Sequence, residues 1–129
     1  MHDNKDKGDL GENIACGFLK KEGYSIIEKN YRKKIGEIDI IARKNDILHF
    51  IEVKTRSDSS LEIFGLPQDA VNIRKKRKII RTALYYLQEN AFPEDASWQI
   101  DVIAITINWQ RKKAKICFLE NAVEDAEAT

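Results

Sequence analysis

Cysteine, histidine, proline and long apolar runs are all scarce in this chain: of 129 residues, two are Cys, two are His and two are Pro. Cys16 and Cys117 lie far apart with no CxxC pair, and the histidines are His2 and His49. Neither a zinc cage nor a disulfide framework is therefore encoded, and both thiols are expected to be reduced and buried. The longest apolar stretch, residues 102–107, includes a Thr and is far too short to cross a bilayer. The opening Met-His-Asp-Asn-Lys-Asp-Lys has no apolar segment of the signal-peptide kind. These absences predict a soluble, cytoplasmic protein with no membrane partner. No internal repeat is present. At this length one core can bury roughly two-thirds of the unfolded chain's surface, which predicts a single domain over residues 1–129 with a core of about 8–119.

Charge of one sign is not in excess either: 22 Lys and Arg face 21 Asp and Glu, a net of +1. The distribution, however, is uneven. Residues 74–81 hold six bases and no acid, whereas residues 120–129 hold Glu120, Glu124, Asp125 and Glu127 and no base. Taking those four negative charges from the net +1 leaves +5 on residues 1–119. A basic face is thus masked by an acidic tail, and that tail, 120–129, is expected to fray.

The spacing of Leu10, Ile14, Ala15, Phe18 and Leu19 predicts a helix over 8–23, with Gly23 as its stop and Glu12 at the edge of the apolar stripe. Residues 24–30 read as an outer strand and 29–36 as a basic turn. Two β-rich runs, 37–43 and 47–55, flank Lys44-Asn45-Asp46 and make the clearest hairpin in the chain. Residues 56–67 lack any period and read as a loop. A second helix is predicted over 70–90, with Val71, Ile73, Ile80, Ala83, Leu84 and Leu87 on one face and most of the basic run outside it. After a loop at 91–97, residues 98–107 read as a central strand and 114–119 as a further one. The order helix, three strands, helix, two strands (α-β-β-β-α-β-β) predicts an α/β fold with a single mixed β-sheet flanked by helices.

The hairpin carries the chemistry. A two- or four-residue loop centred on Asn45-Asp46 sets Asp39 opposite Glu52 and Glu37 opposite Lys54, all on one face with Ile41 and Phe50. Carboxylates placed opposite one another, with Cβ atoms about 5 Å apart, are destabilising unless something offsets them. A divalent cation would do so. Mg²⁺ takes carboxylate oxygens at about 2.1 Å, keeps several waters and pairs with phosphate substrates. Lys54 could hold an attacking water or stabilise charge on a phosphoryl oxygen, so the set has the parts for metal-assisted hydrolysis. The alternative is a surface face salt-bridged through Glu37 and Lys54. With 11 Glu and 15 Lys, roughly one Glu-x-Lys arises by chance, and one is present; the flanking apolar strands and the pairing with Asp39 raise its weight. Arg74, Lys75, Lys76, Arg77, Lys78 and Arg81 could track phosphates or form a solvated helix face. Trp98, Trp109, Tyr85 and Tyr86 read as core or rim aromatics. His49 alternates onto the face opposite Glu52, as a structural residue.

Taken together, Gly8-x-x-x-Glu12, Asn30-x-Arg32, Gly36-Glu37-Ile38-Asp39-Ile40-Ile41, Phe50-Ile51-Glu52-Val53-Lys54-x-Arg56, Phe64-Gly65 and Val71-x-x-x-Lys75 closely resemble the YraN-like family of small bacterial proteins. These are predicted endonucleases, distantly related to archaeal Holliday junction resolvases within the PD-(D/E)XK nuclease superfamily. The resemblance runs through most of the chain and implies a restriction-endonuclease-like fold. It implies that Asp39 and Glu52 bind Mg²⁺, or Mn²⁺ as a substitute, with help from the Val53 carbonyl. It further implies that Lys54 positions the nucleophilic water and that Glu12 assists the metal or its water. By the same resemblance Lys75 would reach the site or a phosphate and Arg56 would contact the scissile strand; Arg32 and Lys78 complete the expected nucleic-acid contacts. One departure is Gln99-Ile100-Asp101, where family members usually carry Arg-Phe-Asp, so any role of that arginine is absent or moved.

The leading expectation is thus a Mg²⁺-dependent endonuclease acting on DNA, with branched or otherwise non-B structures among its candidate substrates. Its rivals are a non-catalytic nucleic-acid-binding or scaffolding module that retains the nuclease fold, and an interaction protein in which the Asp39, Glu52 and Lys54 face is a structural polar network. A homodimer is expected by analogy with the resolvases alone.

Overall fold

In the computed structural model, which describes residues 4–57 and 73–122, helix α1 spans Asn4–Lys21. It starts earlier than its apolar period, and its first turn carries the exposed Asp6, an acid favoured beside a helix N-terminus. It stops in a Schellman motif: Tyr24 N–H donates to Leu19 O at 2.9 Å and Gly23 N–H to Lys20 O at 3.2 Å, with Gly23 at φ +92°. Tyr24 and Leu19 then meet in the same apolar cluster.

Strands β1 (Ser25–Lys33), β2 (Gly36–Lys44) and β3 (Ile47–Ser57) follow, then helix α2 (Ile73–Glu89) and strands β4 (Trp98–Asn108) and β5 (Lys113–Leu119). They form one five-stranded mixed sheet in the order β1-β2-β3-β4-β5. β3 and β4 are parallel, joined through α2, and the other neighbours are antiparallel. This is the α/β architecture and element order that the periodicities predict. The β2–β3 turn has Asn45 at φ 51° and Asp46 at φ 64°, the double left-handed signature of a type I′ hairpin.

Each face of the sheet has its own core. On one side Ala15, Cys16 and Leu19 of α1 pack on Ile40, Ile51, Ile103 and Ile105. On the other, Ile79, Ala83 and Tyr86 of α2 pack on Ile38, Ile41, Phe50 and Val102. Phe50 lies edge-on to both Tyr86 and Trp98; Tyr86 is buried in the core and Trp98, partly buried, packs at its rim.

Several expectations are corrected. β1 continues to Lys33, pairing Tyr31 with Ile38 and Arg32 with Glu37, so the basic turn shrinks to Lys34-Ile35. β3 runs to Ser57 because its ladder with β4 continues through Arg56↔Thr106. Leu84 is exposed: the inward stripe of α2 is Ile79, Ala83 and Tyr86, and Leu84 falls about 100° beyond Ala83. Cys117 is also exposed. Its neighbours Ile116 and Phe118 face the α1 core, which turns Cys117 outward on an edge strand. The expected loop beyond Ser57, Phe64-Gly65, Val71 and residues 123–129 of the acidic tail lie outside the described residues.

Candidate functional site

The site forms where β2 turns over. Residues two apart on a regular strand share a face, yet Ile38 packs in the α2 core and Ile40 in the α1 core. The reversal falls at Asp39. The neighbouring strand shows a matching irregularity, with Asn30 at φ 55° between Lys29↔Ile40 and Tyr31↔Ile38. The β2–β3 ladder, in the expected register from Lys44↔Ile47, ends at Ile40↔Ile51. The anticipated Asp39–Glu52 and Glu37–Lys54 ladder pairs are therefore not formed. Instead Asp39 Oδ2 accepts a 2.7 Å hydrogen bond from Val53 N–H, one residue past Glu52.

Glu52 is buried, on the α2 side of β3 with Phe50, and its Oε1 lies 3.1 Å from Lys75 Nζ of α2. Burial, and after it the charge of Glu52, push the Asp39 carboxyl up to about 7. The Lys75 amine, in hydrogen-bond contact with Lys54, together with burial, pulls Lys54 below an ordinary lysine. Lys75 itself is raised: burial opposes its charge, but the Lys54 contact and Glu52 outweigh that. Two carboxylates and two amines thus converge within one interaction network.

Glu12 comes from α1 on the opposite face. Gly11 is buried, and a Cβ there would collide with the Thr55 side chain, so α1 approaches β3 closely at this point. Glu12 Oε1 accepts from Asn30 Nδ2 at 2.8 Å, and its charge contributes to the rise of the Asp39 pKa. Asn30 Oδ1 in turn accepts from Arg32 Nη2 at 3.4 Å, and Arg32 pairs with Glu37 at 3.4 Å on the exposed rim.

Beside Glu52 opens a cleft of about 330 Å³. Lys75 and Lys78 line it from α2, and Lys33 at the end of β1 and Lys34 in the β1–β2 turn line it from the other side. Lys75 and Lys78 are therefore brought to the site, whereas Arg32 stays on the rim and Arg56 is half-buried, donating to Thr106 Oγ1 at 3.5 Å. The lysines of the β1–β2 turn and the Lys54–Lys75 contact escaped the sequence reading. The run Lys33-Lys34 was the available signal, but only the tertiary structure brings that turn back over α2. His49 is buried on the α1 side, its Nδ1 2.6 Å from Asp101 Oδ2, as a structural residue. Asp101 also accepts from Gln99 Nε2 at 2.8 Å, so Gln99 of the departed triplet serves that buried network.

Among the described residues no three His, Cys, Asp or Glu side chains gather as a metal cage. Mg²⁺ does not require one, since it usually takes one or two carboxylates and completes its shell with water and phosphate oxygens. Asp39 and Glu52 fit that demand. They are hard oxygen donors near enough for the charge of Glu52 to help raise the Asp39 carboxyl.

The family model described as an uncharacterised protein family, UPF0102, matches residues 11–105. The chain belongs to that family, to which the YraN-like motifs pointed. It is 43% identical to a UPF0102 protein of Clostridium acetobutylicum over 121 residues, covering 94% of this chain and 96% of that one. It is 44% identical over 119 residues to a UPF0102 protein of Alkaliphilus oremlandii, covering 92% of this chain and 98% of that one. Among solved structures, SfsA of Pyrococcus furiosus in complex with Ca²⁺ aligns with 92% of this chain and 64% of its own length. The identity there is 15% and the TM-score 0.38. Among the described residues no helix is long and apolar enough to cross a membrane.

Proposed function

We propose that this chain is a Mg²⁺-dependent endonuclease that hydrolyses phosphodiester bonds of DNA, branched and other non-B structures among its candidate substrates. The observation that carries this reading is the convergence of Asp39, Glu52, Lys54 and Lys75 where β2 parts from β3, beside a lysine-lined cleft. The fold, one mixed sheet between two helices, is consistent with a nuclease of the superfamily that the motifs resemble.

Asp39 and Glu52, with the Val53 carbonyl, would hold the ion. Bound Mg²⁺ would supply charge neutralisation at the phosphoryl oxygens and make water a better nucleophile. The chain's own residues do the rest. The Val53 N–H fixes the Asp39 carboxylate, so its free oxygen has a defined direction. Lys54 orients the water for in-line attack on phosphorus as the bond to the leaving oxygen breaks. Lys75 neutralises Glu52 in the resting site and can turn to the phosphate when Glu52 is otherwise engaged. Glu12, held by Asn30, adds negative charge from the α1 side.

The test is Mn²⁺- or Mg²⁺-supported cleavage of labelled single-stranded, duplex, flapped and four-way-junction DNA, with the Asp39→Ala/Glu52→Ala double variant purified in parallel. Cleavage by the wild type alone is expected. Equal activity, or equal inactivity, in the two proteins refutes the nuclease assignment.

A further inference from the structure

The cleft beside Glu52 has two walls of different origin. α2 supplies Lys75 and Lys78; the end of β1 supplies Lys33 and the β1–β2 turn Lys34. The turn is seated on the helix. A Cβ on Gly36 would come within 2.5 Å of Thr82 Oγ1 and 3.2 Å of Lys78 Cγ, so only glycine lets the turn pack there. The spacing between the walls is consequently set by backbone packing, before any ligand arrives.

Pairing the charges that line this cleft leaves an excess. Glu37 is engaged by Arg32 at 3.4 Å, Glu52 by Lys75 at 3.1 Å, and Lys33 by Glu89 at 3.4 Å. Among the described residues Lys34 and Lys78 have no ion-pair partner, and both are exposed. Two ammonium groups without an ion-pair partner, one on each wall, leave the cleft with an excess of positive charge that an anion can neutralise. Ammonium groups are point-charge ligands for phosphate, and a strand of nucleic acid presents phosphates in succession.

We propose that Lys34 and Lys78 form a two-sided clamp for the phosphodiester backbone of one nucleic-acid strand, each lysine neutralising one phosphate next to the bond presented to Glu52. The identity of the ligand rests on the nuclease reading, whereas the clamp itself rests on the charge excess and the Gly36–Thr82 seating. The β1–β2 turn becomes a substrate-binding element on the side of the cleft opposite α2.

The experiment is binding of a fluorescein-labelled single-stranded oligothymidylate in EDTA, followed by anisotropy between about 50 and 200 mM NaCl, a range over which phosphate contacts dominate affinity. EDTA separates binding from cleavage. For single strands each neutralised phosphate contributes about 0.7 to the slope of log K against log[salt]. Lys34→Gln and Lys78→Gln should each lower that slope by about 0.7, and the double variant by about twice as much. Lys34→Arg should keep the wild-type slope. Lys115→Gln, the same charge change on the far edge strand, should leave it unchanged. A wild-type slope in Lys34→Gln, or an equal loss in Lys115→Gln, overturns the clamp even if the protein cleaves DNA. If the slopes fall as expected but no DNA is cleaved, the clamp stands and the nuclease reading fails. No binding by the wild type overturns the clamp.

Discussion

Replacing Asp39 by asparagine should stabilise the metal-free protein at neutral and alkaline pH. Asp39 is a carboxyl raised from 3.8 to about 7, first by burial and then by the charge of Glu52. A carboxyl whose folded pKa exceeds its unfolded value favours folding below the unfolded value, and that contribution is lost as pH rises through the folded pKa. The pH window runs from about 4 to about 7, and the sign is a loss of stability with rising pH. Three pH units at about 1.4 kcal/mol each amount to roughly 4 kcal/mol, a large fraction of the 5–15 kcal/mol typical of a domain. The asparagine side chain is isosteric with aspartate, and its Oδ1 can still accept from Val53 N–H, so the variant removes the charge and keeps the hydrogen bond. The assay is urea unfolding of both proteins in EDTA at intervals from pH 4 to pH 8. The advantage of Asp39→Asn over the wild type should grow by several kcal/mol across that range, groups remote from Asp39 cancelling in the difference. Parallel pH profiles for the two proteins would show that Asp39 is not held in an unfavourable environment, and would remove the electrostatic reason for a cation there.

Gly11→Ala should destabilise by about 1–3 kcal/mol through overpacking, because its Cβ meets the Thr55 side chain; thermal unfolding should show most of the loss recovered in Gly11→Ala/Thr55→Ala. Ala91→Gly should raise stability by about 0.5–1 kcal/mol, since Ala91 sits at φ 55° closing α2, where Phe92 N–H reaches Leu87 O at 2.9 Å; an unchanged melting temperature would contradict this. Asp101→Ala should cost about 3 kcal/mol or more, because Asp101 is fully buried and accepts from Gln99 Nε2 and Asn121 N–H while facing His49. A denaturant midpoint within error of the wild type would show that this network carries no stability.

Much of this protein is written in local pattern. The 3.6-residue spacing of Leu10, Ile14, Phe18 and Leu19, the stop at Gly23 and the turn at Asn45-Asp46 depend on backbone preferences within a few residues, and each appears where that chemistry puts it. The same holds for the element order; Asp39, Glu52 and Lys54 do lie on the two hairpin strands, but the register that would pair Asp39 with Glu52 and Glu37 with Lys54 stops short of them. Alternation fails at Asp39, because a period of two presumes a regular strand. The turnover there depends on β1, where Asn30 adopts φ 55°, and on a ladder that opens so that the Val53 N–H meets a carboxylate instead of a carbonyl. The lysine-lined cleft is likewise a tertiary product. Lys34 and Lys78 are 44 positions apart in the chain, and they share a cleft only because Gly36 lets a turn rest on Thr82. Periodicity decides which side chains can reach the core; how two backbones lean together decides which of the remaining charges face one another.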